Sequence, residues 1–501
     1  MQLTKDREAF SRFQARMSAY GHAMSLIHFD GSTTAPQGTA ANRAHTLGIL
    51  SEDSYRMTTD PETLSMLERL DAGREELTPA EARAVTLALK DLKEMKKIPM
   101  EEYIAYQQLT VEADDVWHRA KAENDFAAFC PYLERIFETQ KRFAAYIDPT
   151  REPYDVCLDR YEDGLTMARC DEFFAALRSR LVPLIRRITA CPEPSTACLT
   201  GDFDEASQER FAHDLMRTMG IDMDHCALAT TEHPFTTSLG SHHDVRITTN
   251  YKRSDLSSSM FSVIHEGGHA LYDLGSADEL AYTFLDGGVS MGIHESQSRF
   301  YENLLGRSRP FIEHIFPKMC EAFPEAMAGY TAEDVWRAVN VVKPSLIRTE
   351  ADEVTYALHI MVRYELEKRI MKGELAVRDL PEAWAALYRE YLGVEVPNDT
   401  LGVLQDTHWS GGMIGYFPSY ALGSAYGAQL LRKMRQTVDV DACLLAGNMT
   451  PINEWNREHI WRHGCLLPPA TLLEEALGEP FDPYVFTDYL EEKYSALYGL
   501  S

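Results

Sequence analysis

Two histidines four residues apart, with a glutamate directly after the first, stand in the stretch 265-HEGGH-269. Positions i and i+4 of a helix share one face, so His265 and His269 can turn both imidazoles toward a single ion. Glu266 lies about 100° round such a helix from His265 and is free to take a proton from water rather than bind the ion. A histidine pair with an adjacent carboxylate base is the arrangement of zinc peptidases. Gly267 and Gly268 each cost roughly 1 kcal/mol against Ala inside a helix. Close approach of another segment, or of substrate, would account for them.

A catalytic zinc needs a third protein ligand and an open fourth position. The metzincin solution is a His six residues after the second histidine, but Gly275 stands there. The third ligand must therefore come from another segment. "DGGVSMGIHESQSRFYENLLG" (286–306) reads as a second helix starting from its Gly-Gly turn. Glu295 on it is the first choice, with His294 and Glu302 as alternatives. His294 also fits a group that supports a ligand without touching the ion. Two histidines and a glutamate suit Zn2+, and Co2+ or Mn2+ can use the same donors. Asp273 and Asp352 are candidates for orienting the ligand histidines, with helix salt bridges as the alternative.

The elements that must position these groups are mostly helical. "EAFSRFQARMSAYGHAMSLIHFD" has apolar residues at i, i+3, i+4 and i+7. "TPAEARAVTLALKDLKEMKKI" opens with Thr78, Pro79 and Glu81, a capping-box pattern. "RCDEFFAALRSRLVPLIRRIT" and "SQERFAHDLMRTMGI" continue the theme. One break occurs: "HPFTTSLGSHHDVRITTNY" (233–251) is rich in Thr, Val and Ile around a Gly-containing turn and reads as a β-hairpin. After it, Ser and Asp residues suit a helix cap, and the HEGGH helix is expected to end at Gly275 as its C′ residue. No repeat or low-complexity linker divides the chain. The expectation is one body, with a helical part at about 1–230, a metal-site core at about 231–430 and a helical part at about 431–501.

Composition narrows the function. The 501 residues carry 49 Lys plus Arg and 77 Asp plus Glu, a formal charge of −28. That balance opposes nucleic acid and anionic membrane, both of which need a basic face. The uncharged stretch 409–431 is long enough to span a bilayer, but it holds five glycines and a central proline. It reads instead as a buried loop followed by a helix. Nine scattered cysteines without a C-x-x-C pair, and an N-terminus without an apolar signal core, predict free thiols and a cytoplasmic protein.

HEGGH (265–269) and HESQSR (294–299) together resemble the carboxypeptidase Taq family, thermostable-type metallocarboxypeptidases of bacteria and archaea. "HPF" (233–235), "DVRITT" (244–249), "IRTEADEVTY" (347–356), and "GVLQDTHW" (402–409) with "GYFPSY" (415–420) match in the family's order over about 190 residues. An early segment, "IHFDGSTTAPQGTAANRAHTLGIL", departs by carrying His28-Phe29 where an aromatic-Asp pair is usual, far from the metal motifs. The resemblance implies a mostly α-helical fold with a deep groove, like angiotensin-converting enzyme and neurolysin. It also implies release of single C-terminal residues from peptides with broad specificity, and a homodimer.

The resemblance further points to His408 and Tyr420 as oxyanion donors and to His233 beside the substrate. Glu266 would act as general base on a zinc-activated water and pass its proton to the leaving amine. An exopeptidase must also hold the terminal carboxylate, which the forked guanidinium of Arg does best. Arg348 is the first candidate. Arg246 is the second, because a hairpin edge can accept substrate as an added strand. The competing expectation for Arg348 is an ion pair with Glu350, Asp352 or Glu353. Two other readings stand: an oligopeptidase or dipeptidyl carboxypeptidase with the same metal site, and a metal-binding scaffold without turnover. The retained Glu266 speaks against the scaffold, since a structural zinc site needs no base.

Overall fold

The capping box at Thr78 forms as its residues predict. Thr78 N donates to Glu81 Oε2 at 2.9 Å and Glu81 N donates to Thr78 Oγ1 at 3.2 Å, opening helix Pro79–Lys97. The computed structural model describes residues 2–500, and among them lie twenty α-helices and one three-stranded sheet. The expected mostly helical class holds. One apolar cluster runs from Tyr106 to Tyr494. A second gathers Phe10, Leu67, Leu70 and Val85 from the first helices with Leu280 and Leu285 from much later in the chain.

The predicted hairpin is β2 (Thr236–Leu239) against β3 (Ser241–Thr249), antiparallel. β1 (Cys226–Thr230), which local sequence does not announce, joins β3 in parallel, so the order is β1-β3-β2. Gly240 turns the hairpin at φ 76°, and a Cβ there would sit 2.7 Å from His22 Cβ. The first helix, Gln2–Thr33, crosses this turn: Ser18 Oγ donates to Gly240 O at 2.5 Å. Farther along that helix His28 and Phe29 pack on Phe235, ring centroids 6.2 and 6.1 Å away. The early segment is thus remote from the HPF motif in sequence but touches it in space.

Helix Leu256–Leu274 carries HEGGH and starts at Asp255, whose carboxylate accepts from Ser257 N at 2.9 Å. Gly275 follows it at φ −83°, so a left-handed C′ is not its role. A Cβ there would meet Trp461 at 2.6 Å, and close packing is what demands glycine. The second site helix starts at Met291, after a Ser290 cap, rather than at the Gly-Gly turn. At Phe300 it widens into a π-helix through Gly306. In 409–431 the expected loop leads into helix Pro418–Met434, most of which is buried. No helix among the described residues is long and apolar enough to cross a membrane.

Candidate metal centre

Gly268 is the position where the two site helices meet. A Cβ there would lie 2.7 Å from Gln297 O and 2.8 Å from Ser298 Cα, both backbone atoms of helix Met291–Arg299. On that helix's other side, a Cβ at Gly423 would lie 2.7 Å from Glu295 Cβ. Glycines at both contacts let Glu295 approach the histidines.

His265, His269 and Glu295 each offer a ligand atom, all within 4.8 Å of one another. Glu295 Oε2 lies 3.9 Å from His265 Nε2 and 3.6 Å from His269 Nε2. Ligands about 2.1 Å from a tetrahedral ion stand about 3.4 Å apart, so a small contraction would suffice. The histidines' other nitrogens are engaged. His265 Nδ1 donates to Glu302 Oε2 at 2.8 Å. His269 Nδ1 lies 2.6 Å from His294 Nδ1, and His294 Nε2 lies 3.0 Å from Asp273 Oδ1. With His294 neutral and donating to Asp273, its Nδ1 accepts from His269. Both Nε2 atoms then carry lone pairs toward a carboxylate oxygen. In these tautomers three acceptors converge, a donor set that fits a divalent cation.

The alternatives for third ligand thus acquire other places. Glu302 sits behind His265, and His294 links His269 to Asp273. Asp352 does not orient a histidine: its carboxylate accepts from Val354 N, Thr355 N and Lys343 N, tying down the start of helix Tyr356–Met371. Burial raises the pKa of Glu295, but Arg299 and the two histidines more than offset this and hold it well below the usual carboxylate range. Arg299 Nε donates to Glu295 Oε1 at 2.7 Å, and Arg299 Nη1 is 3.4 Å from Glu302 Oε2. The i+4 spacing of Arg299 from Glu295 is an ion-pair signal legible in the sequence, and it is the one that finds this residue. Glu266 is buried, with Thr236 Oγ1 of β2 donating to its Oε2 at 2.6 Å.

Arg348, His408 and Tyr420 form a second group. Arg348 is buried, and its partner is Asp406 rather than Glu350, Asp352 or Glu353, with Nε to Oδ1 2.9 Å. The Arg348 Nη1 donates to Tyr356 Oη at 3.2 Å. Tyr356 joins the two groups, since the Arg299 guanidinium lies 4.2 Å above its ring. Arg348 also lies 5.1 Å from the Tyr420 ring centre. His408 Nε2 is 3.1 Å from Tyr420 Oη. Burial and then Arg348 push the His408 pKa down to about 4, so at neutral pH it carries one N–H. Burial keeps the Tyr420 phenol protonated.

Arg246 and His233 stand outside both groups. Arg246 grips Asp244 on its own strand, Nε to Oδ1 2.6 Å and Nη2 to Oδ2 3.0 Å. That strand, β3, is central, so the edges open to an added strand belong to β1 and β2. His233 is exposed in the bend before β2.

A helical body with an H-E-x-x-H helix, and a carboxylate delivered by a following helix, defines a metallopeptidase. The chain belongs to the carboxypeptidase Taq (M32) metallopeptidase family, whose model matches residues 9–494. It is a metallocarboxypeptidase, a hydrolase of peptides that works with a divalent metal. It is 41% identical to carboxypeptidase 1 of Bacillus subtilis, over 99% of each chain. Against thermostable carboxypeptidase 1 of Pyrococcus furiosus the identity is 37%, over 96% of each. The solved M32 carboxypeptidase of Deinococcus radiodurans superposes with a TM-score of 0.96 at 36% identity, covering 99% of this chain and all of that one.

Proposed function

We propose that the chain is a zinc carboxypeptidase that removes single C-terminal residues, with His265, His269 and Glu295 as metal ligands. The observation that carries this is the convergence of the two Nε2 atoms on Glu295 Oε2. When bound, the ion supplies Lewis acidity toward a water and toward the scissile carbonyl. Glu266 takes the proton from that water, held in place by Thr236, and delivers it to the amine that leaves. Water oxygen ends on the new carboxyl group and the peptide C–N bond breaks. His408 donates Nε2–H to Tyr420 Oη, which aims the phenol hydrogen at the oxygen gaining negative charge.

Arg348 holds the substrate's terminal carboxylate. Of its five N–H groups, Asp406 occupies the Nε and Nη2 side and Tyr356 one hydrogen of Nη1. At least one N–H on each terminal nitrogen is left for a fork. Arg246 and His233 are the reserve substrate contacts. A cytoplasmic location rests on the nine free cysteines and a homodimer on family resemblance.

Glu266→Gln tests the assignment. It should keep one zinc at the ligand set and lose about three or more decades of kcat, the scale of acid–base catalysis joined to water activation. A Glu266→Gln enzyme with near-normal turnover ends the role.

A further inference from the structure

Consecutive residues of a strand alternate faces, yet the rings of His242 and His243 at the start of β3 lie 4.1 Å apart. The ladder slips here, between Ser238 and Leu239, and Leu239 pairs with Ser241. Such an irregularity re-aims side chains. His242 is buried and gripped by Asp286, whose Oδ1 lies 2.7 Å from Nδ1 and whose Oδ2 accepts from the His242 backbone N at 3.2 Å. That bond holds a proton on Nδ1 and leaves Nε2 as the nitrogen that a neutral ring offers to an ion. Nε2 faces Asp278 Oδ1, 3.4 Å away, another acceptor. One ligand atom each from His242, His243 and Asp278 fall within 4.8 Å of one another.

We propose that His242, His243 and Asp278 form a second metal site, for a transition ion of the zinc type, distinct from the HEGGH centre. Two imidazoles and a carboxylate match zinc, cobalt or nickel and not the hard cations that prefer oxygen alone. Asp286 stands behind His242 as carboxylates stand behind metal-bound histidines. Protonated His242 held between Asp286 and Asp278 is the alternative, but it gives no reason for the exposed His243 ring to gather 4.1 Å from His242. The ion clips β3 to the segment that carries Leu280 and Leu285, the late contributors to the apolar cluster under the first helices. It therefore fastens the N-terminal helices to the sheet that supports Glu266. The site does not depend on the ligand set proposed for catalysis.

The test is zinc uptake by metal-stripped, full-length protein in equilibrium dialysis. Wild type should take up two equivalents. His243→Ala and Asp278→Asn, both at exposed side chains, should each take up one and retain peptidase turnover. Glu295→Ala should also take up one, yet lose turnover. Asp286→Asn changes no ligand and should weaken the second equivalent about 10–100-fold. Wild type that binds a single equivalent, or a second equivalent that survives His243→Ala, overturns the proposal.

Discussion

In the proposed function Arg348 serves both structure and selectivity. In the proposed mechanism the metal, Glu266 and Tyr420 treat every peptide bond alike, so preference for the chain end needs a cation one residue beyond the scissile bond. Arg348 reaches Tyr356 and the Tyr420 ring, while Asp406 fixes its other side. Removing it does not strand Asp406, because Arg363 Nε donates to Asp406 Oδ2 at 2.6 Å. Arg348→Met should therefore fold and bind zinc, and lose about two to four decades in kcat/KM on free-acid peptides. An amidated peptide should be a similarly poor substrate of the wild type, and the substitution should narrow the gap between the two. Steady-state kinetics on one pentapeptide in both forms checks this. Equal wild-type cleavage of the amide would point instead to an oligopeptidase. The partner of Arg348 was not legible in the sequence: Asp406 lies 58 positions away, and long-range burial decides such pairs.

At the scale of elements, local rules carried far. The capping box, the hairpin and the HEGGH helix are each written in a few neighbouring residues. β1, the π-helix at Phe300–Gly306 and the absence of a left-handed Gly275 are not, because each answers to a partner distant in sequence. The paired glycines of HEGGH were legible as a demand for close approach, but which one carries it was not. A Cβ at Gly267 would meet only side-chain ends, Met219 Cε at 2.8 Å and Ile221 Cδ1 at 3.0 Å. At Gly268 the obstacle is the backbone of the helix that bears Glu295. Gly268→Ala should therefore cost about 1–3 kcal/mol by overpacking and weaken zinc by moving Glu295 away. Gly267→Ala should cost less and leave zinc affinity nearly unchanged. Denaturation midpoints and zinc titration of the two variants compare them directly. Equal effects would mean that the helix contact is not what excludes a side chain.

For the whole molecule, the question is whether metal makes the fold or is merely held by it. Small zinc domains unfold when stripped, because binding supplies their folding energy. Here the apolar cluster that surrounds the site extends from Tyr106 to Tyr494. The Glu295 charge is also met without an ion, by Arg299 Nε at 2.7 Å and Ser298 Oγ at 3.2 Å. Glu302 likewise has Arg307 Nη2 at 3.0 Å. Neither Glu295 nor Glu302 is therefore left uncompensated in stripped protein, and it should remain folded at room temperature. It should nevertheless melt earlier. An ion present at about 1,000 times its Kd adds about 4 kcal/mol to the folded state, and chelation removes this. The expected outcome is a fall of several degrees in Tm on adding a chelator, with helical circular dichroism at 25 °C unchanged. In Glu295→Ala, the part of that metal-dependent shift that comes from this centre should vanish, because the third donor is gone while the core is intact. A Glu295→Ala protein whose Tm responds to metal as strongly as the wild type would refute the ligand set. A wild type that loses its helices on chelation would refute the view that this core stands without its ion.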